Sequence, residues 1–104
     1  MTAEDVKALV LSVDPRAQRY DSADRSGPDY TTWRDLGPLD LMAEGRHQGG
    51  LSFQVDRYTK TQDDPVAAAL WEALDSDDRI AVYYRVDYER DTRYIHHIYD
   101  CEGV

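Results

Sequence analysis

The clearest periodicity in the chain begins at Leu51, where Leu51, Phe53 and Val55 alternate with Ser52, Gln54 and Asp56, the pattern of a strand with one dry and one wet face. Arg57 and Tyr58 continue the run toward Lys60. The period then changes. Asp64-Pro65 supplies a capping carboxylate and a proline at the first helical position, where a missing N–H does no harm. Val66, Leu70, Ala73 and Leu74 recur at helical spacing behind it, with Ala67 and Trp71 widening the stripe, so a helix is predicted over residues 64–74. Beyond that helix the period returns to two. Ile80, Val82, Tyr84, Val86 and Tyr88 share one strand face, opposite Ala81, Tyr83, Arg85 and Asp87. Over residues 93–101, Ile95, His97, Tyr99 and Cys101 share another, opposite Tyr94, His96 and Ile98. The polar link Glu89-Arg90-Asp91-Thr92 between these runs has the length of a hairpin loop.

Toward the amino end, Val6, Leu9, Val10 and Val13 fall at helical spacing, with Thr2 placed to cap and Glu4 and Asp5 in the first turn. That helix stops at Asp14-Pro15, because proline disfavours helical geometry in the residue before it. Residues 16–29 are rich in Asp, Ser and Arg and predict an exposed loop, with a short extended piece near Arg19-Tyr20. Tyr30-Thr31-Thr32-Trp33-Arg34, dense in β-branched and aromatic residues and bracketed by Gly27-Pro28 and Gly37-Pro38, predicts a short strand. Residues 37–49 are polar apart from Leu39, Leu41 and Met42, and predict a loop whose apolar tip docks on a neighbour. The expected fold is therefore one α+β domain over residues 1–104, with the order α-β-β-α-β-β. Its sheet is antiparallel, of about four strands, with both helices packed on one face. A chain of 104 residues buries one modest core and no second one.

Charge narrows the partners. Twelve Lys and Arg stand against 21 Asp and Glu, a net charge of -9, so attraction to phosphate backbones or anionic membranes is disfavoured and no specific nucleic-acid binding is expected. No apolar run approaches the roughly 20 residues of a membrane span, and the amino-terminal residues lack the charged-then-apolar pattern, so no leader is expected. The one cysteine, Cys101, has no internal disulfide partner. A soluble protein of a reducing compartment is the expectation.

The chemistry-bearing residues do not assemble into a site. His96 and His97 are adjacent in a strand, so their imidazoles face opposite ways. His97 and Cys101 share a face but lie roughly 13 Å apart along the strand, too far to coordinate one zinc together. The cluster Asp75-Ser76-Asp77-Asp78 lacks the glycine and distal glutamate of a calcium loop and reads as a solvated helix end. No nucleophile elbow, phosphate loop, zinc ribbon or dinucleotide fingerprint is present, and Gly49-Gly50 precedes a strand rather than a helix. No catalytic residue, metal or cofactor is expected. The tyrosines carry more. Eight in 104 residues, with Tyr83, Tyr84, Tyr88 and Tyr94 in or near the last hairpin, exceed what so small a core buries with every hydroxyl satisfied. Some must lie on the sheet surface, where tyrosine serves protein interfaces.

One segment, Gly49-Gly50-Leu51-Ser52-Phe53-Gln54-Val55-Asp56-Arg57-Tyr58-Thr59-Lys60, leads into the helix at Pro65 and then into Tyr88-Glu89-Arg90-Asp91-Thr92-Arg93-Tyr94-Ile95-His96-His97. Together with the strand entry Pro28-Asp29-Tyr30-Thr31-Thr32-Trp33, this series resembles the small tail-completion or tail-terminator proteins of long-tailed bacteriophages and prophages. The similarity spans roughly residues 28 to 102. It departs at residues 15–29, where that family has a clearer first strand and this chain has a charged loop.

The resemblance implies a non-enzymatic virion protein that assembles as a ring with itself, commonly a hexamer, at the head-tail junction. It would form in the host bacterial cytoplasm and remain in the tail or neck. Its partners would be the tail-tube protein and the head-completion or connector protein, with DNA passing through the ring. The surfaces it nominates are Leu39, Leu41, Met42 and His47 on the long loop, and Tyr83, Tyr94 and His96 on the last hairpin. The alternative is a small acidic inhibitor that mimics nucleic acid and is steered by its charge to a basic groove.

Overall fold

A computed structural model describes residues 1–20, 29–39, 42–43, 46–47 and 49–104. The first helix, α1, spans Ala3–Val13 and is opened by a capping box. The Thr2 hydroxyl accepts from the Asp5 N–H at 3.2 Å, while the Asp5 carboxylate accepts from the Thr2 N–H at 2.8 Å. The second helix, α2, spans Pro65–Asp75, with the Asp64 side chain accepting from the Ala67 N–H at 3.1 Å. Both helices form where periodicity and capping residues agree.

The strands are β1 (Gln18–Arg19), β2 (Tyr30–Pro38), β3 (Met42–Ala43), β4 (Arg46–His47), β5 (Leu51–Thr59), β6 (Ile80–Glu89) and β7 (Tyr94–Gly103). Five of them make one sheet in the order β1-β2-β5-β7-β6, and β3 with β4 makes a separate two-residue ribbon within the long β2–β5 connection. The α+β class holds. The expected sheet of about four antiparallel strands does not, because β1 adds a fifth and pairs in parallel with Thr32 and Trp33 of β2. Along the chain the main elements run α-β-β-β-α-β-β. A two-residue strand carries no periodicity to read. It is held instead by tertiary contacts: the Tyr20 N–H donates to the Trp33 carbonyl at 2.6 Å, and the Arg19 guanidinium lies 5.1 Å from the centre of the Trp33 ring.

Two boundaries also move. Gly37-Pro38, expected to end the strand, instead continues it to Pro38, opposite Ser52 and Leu51. A bulge between Asp35 and Gly37 absorbs the extra residue, and Gly37 at φ 119° takes a conformation that side chains disfavour. The last strand begins at Tyr94 rather than Arg93, which adopts φ 64° and belongs to the turn. There the Arg93 N–H donates to the Glu89 carbonyl at 2.7 Å.

Register decides what each face carries. Trp33, Val55, Tyr99 and Tyr84 lie side by side across the sheet, and so do Asp35, Phe53, Cys101 and Val82. The buried members of these rows pack with Val6 and Val10 of α1 and Leu70 and Leu74 of α2, so both helices cover one face. Tyr99 is fully buried and anchors α2, its hydroxyl donating to the Ala67 carbonyl at 2.6 Å. The other face carries the rows Tyr30, Tyr58, His96, Asp87 and Thr32, Asp56, Ile98, Arg85. No helix of the described residues is long and apolar enough to cross a membrane.

Candidate functional site

Four features of the molecule bear on chemistry or recognition, and the most deeply buried is centred on Arg57. Arg57 follows Leu51, Phe53 and Val55 on the inward side of β5 and is 6% exposed. Its Nε donates to Asp64 at 2.8 Å and its Nη1 to the Thr31 hydroxyl at 3.2 Å. The carboxylates of Asp14 and Asp29 stand 3.6 and 3.8 Å from the guanidinium. One side chain thus joins the end of α1, the entry to β2 and the cap of α2. Asp29 in turn accepts from the Thr59 hydroxyl and the Lys60 N–H, each at 3.0 Å. Burial alone would raise the Asp64 carboxyl, but the Arg57 hydrogen bond and charge, with the backbone N–H groups of Ala67 and Val66, bring it below the usual carboxylate range. This is a structural hub. An arginine at an inward position of an alternating strand was the signal for it in the sequence.

The open face carries an aromatic stack. The Tyr30 and Tyr58 rings lie 4.6 Å apart and nearly parallel, and Tyr58 and His96 stack at 4.1 Å. Tyr94 stands edge-on to Tyr30 and Tyr58 at 5.7 and 6.0 Å, with the Lys60 ammonium 5.0 Å from its ring centre. Burial first, and then the Asp56 charge, pushes the Tyr58 hydroxyl up to about 12. His96 reaches the Asp56 carboxylate through Nε2 at 2.7 Å, and its Nδ1 lies 3.6 Å from Glu89. An imidazole held by a carboxylate has the form of a general base, yet among the described residues the groups packed against it are tyrosine rings and acids, with no activated nucleophile. Nothing in the sequence signalled this stack, because Tyr30 and Tyr58 become neighbours only through the β2–β5 register.

His97 points to the helix side, as the alternation required. Its Nδ1 lies 2.6 Å from the Tyr84 hydroxyl, in a cleft of about 340 Å³ bounded also by Asp63, Asp64, Ala67 and Trp71. Burial holds His97 below its ordinary value, with the charges of Arg57 and His96 acting in the same direction against that of Asp64. Cys101 is buried, and its thiol is pushed up to about 12, chiefly by burial and then by Asp100, so it is no thiolate nucleophile. Among the described residues no group of three His, Cys, Asp or Glu side chains is placed to hold a metal ion. A concavity of about 370 Å³ on the open face is lined by Leu36, Ser52, Tyr83, Asp100 and Glu102, with no imidazole in its lining among the described residues.

The fourth feature is the edge. β6 is terminal in the sheet order, so among the described residues its outer side has no neighbouring strand. From Tyr83 to Tyr88 it is exposed on both faces as well, with Tyr83 at 79%, Val86 at 51% and Tyr88 at 55%. Its ten-residue pairing with β7 is unbroken, and it contains no Pro, Gly or Lys of the kind that blunts natural edges.

The nominated residues fall in different places. Tyr83 is among the most exposed side chains, whereas Tyr94 and His96 are engaged in the stack. The Leu39 N–H donates to the Gly50 carbonyl at 3.1 Å, at the root of the β2–β5 connection. Met42 and His47 are opposite each other in the β3–β4 ribbon, and Leu41 lies outside the described residues. Neither protein-family models nor curated proteins give a significant match to this chain.

Proposed function

We propose that this chain is a non-enzymatic structural protein of a long-tailed phage or prophage, a tail-completion or tail-terminator protein that acts by assembling as a ring at the head-tail junction. The observation that carries the reading is the outer half of β6, where Tyr83, Val86 and Tyr88 are exposed and, among the described residues, no strand lies along the edge, which suits a subunit awaiting a neighbour better than a finished monomer. In the ring that edge lies against the next copy. The β2–β5 connection, with Leu39, Leu41, Met42 and His47, contacts the tail tube or a neighbouring subunit, and the head-completion or connector protein docks on the opposite rim. A net charge of -9 suits a passage through which DNA slides without adhering. Assembly takes place in the host cytoplasm and the ring stays in the virion neck.

The nucleic-acid mimic is disfavoured by the engagement of the acids. Asp14, Asp29 and Asp64 face Arg57, Asp35 holds Arg19 and Asp77 holds Arg79, rather than lining one free face. The test is deletion of the gene from its phage or prophage, followed by electron microscopy of the induced particles. Heads without joined tails, or tails of uncontrolled length, are expected. Normal virions overturn the proposal. Complementation with L41S/M42S should restore soluble protein without restoring joined particles.

A further inference from the structure

We infer that in the free protein β6 pairs with β6 of a second copy, antiparallel about a two-fold axis at Val86, which hides the bare edge in a reserve dimer. The backbone fixes which groups are available. The Val104 N–H donates to the Arg79 carbonyl at 2.9 Å, and the Arg93 N–H to the Glu89 carbonyl, at the two ends of the β6–β7 ladder. Antiparallel pairs alternate, so the odd-numbered positions of β6 bond inward to β7 and Val82, Tyr84, Val86 and Tyr88 direct their N–H and C=O groups outward. Consistent with this, the Tyr88 N–H is not in the ladder but donates to the Asp87 carboxylate at 2.9 Å.

An outward group pairs only with an outward group, so the two-fold axis must fall on a residue and not between two. Placed at Val86, it sets Tyr84 opposite Tyr88 of the second copy and Val86 opposite itself, on the helix side. On the open face it sets Arg85 opposite Asp87 of the second copy, twice. Those are non-hydrogen-bonded pairs, in which side chains approach most closely. Moving the axis to Arg85 places arginine on arginine, and moving it to Asp87 places aspartate on aspartate. An axis at Tyr84 sets Arg85 opposite Tyr83 and Asp87 opposite Ala81, so of these four registers only the one at Val86 gains both ion pairs. Arg85 already bridges Asp100 at 3.1 Å, with its side chain 61% exposed, and its remaining guanidinium donors are available to the second copy. On pairing, the Tyr88 N–H turns to the Tyr84 carbonyl of the second copy, and the Asp87 carboxylate it occupied is freed for Arg85.

A two-fold contact is isologous and closes on itself, so it cannot propagate around a ring. Its role as a reserve state rests on the ring reading; the pairing itself does not. One strand edge is a small interface, so the dimer is weak and concentration-dependent.

Sedimentation velocity of the full chain over a concentration series, at low salt, tests the pairing with R85D, D87R, R85D/D87R and V86P. A monomer-dimer equilibrium is expected for the unaltered protein. R85D and D87R each set like charges opposite, twice per dimer, and should weaken association about tenfold or more. R85D/D87R restores both pairs and should recover it, which a merely adhesive surface would not do. V86P removes an outward N–H from an edge position that tolerates proline and should be monomeric with an unchanged far-ultraviolet spectrum. A protein that stays monomeric at the highest concentration, or a double variant as weak as the single ones, overturns the inference. A larger closed oligomer unaffected by V86P overturns it too and leaves the ring reading standing. A dimer with the expected charge behaviour, from a gene whose deletion leaves virions normal, removes only the ring reading.

Discussion

Replacement of Arg57 by methionine keeps most of the stem volume while deleting the guanidinium that faces Asp64 at 2.8 Å, the Thr31 hydroxyl at 3.2 Å, and Asp14 and Asp29 at 3.6 and 3.8 Å. The two longer contacts are too loose to matter much singly. The short one is buried on both sides, with Arg57 and Asp64 6% and 5% exposed. Removing one partner of such a pair leaves an uncompensated charge and costs about 3–5 kcal/mol, a large share of the roughly 5–15 kcal/mol that holds a domain folded. The cost depends on pH in a direction that can be derived. In the native protein the Asp64 carboxyl is held below its ordinary range. Its contribution is therefore fully present above the unfolded value and lost as pH falls through the lower folded one. In R57M, burial acts on Asp64 without its counter-charge and raises the carboxyl, so protonation relieves the variant. The gap between R57M and the unaltered protein should widen as pH rises from about 4 to about 7. Urea denaturation across that range measures it. The double variant R57M/D64N, which keeps a capping side chain, should recover more than about 1 kcal/mol relative to the sum of the single changes. A cost below about 1 kcal/mol at neutral pH, or strict additivity, would refute the hub.

Three further outcomes follow from the same geometry. Y99F deletes the buried hydroxyl that donates to the Ala67 carbonyl at 2.6 Å and should cost about 0.5–1.5 kcal/mol in urea denaturation; no loss would mean that α2 is not anchored there. His97, lowered chiefly by burial, should titrate in proton magnetic resonance below the ordinary 6.5. Its share of stability is complete above that value and is lost as pH falls through 6.5 toward the folded one, because the unfolded chain binds the proton first. A titration above 6.5 would contradict the burial assigned to it. The Cys101 thiol, buried and pushed up to about 12, should react with a disulfide reagent at neutral pH only as fast as the protein opens; immediate stoichiometric reaction in the native state would contradict its placement in the core.

Local pattern carried much of the fold. The alternation from Leu51, the helical stripe behind Asp64-Pro65 and the two Tyr-rich runs locate β5, α2, β6 and β7 within a few residues, and the same alternation sends His96 and His97 to opposite faces. Side-chain direction in a strand and capping at a helix start are decided within about four residues of chain, which is the range that periodicity records. What depends on neighbours across the sheet was not written there. The parallel pairing of β1 is two residues long and has no period, and the bulge at Gly37 is visible only against Ser52 and Leu51. Arg57 gathers Asp14, Asp29 and Asp64, and Tyr58 sits between Tyr30 and His96, because strand order and register bring distant segments together. The exposed edge belongs to the same class: Val82 to Tyr88 read alike whether β6 is central or terminal, and only its place at the end of the sheet leaves their outward N–H and C=O groups without a strand beside them among the described residues.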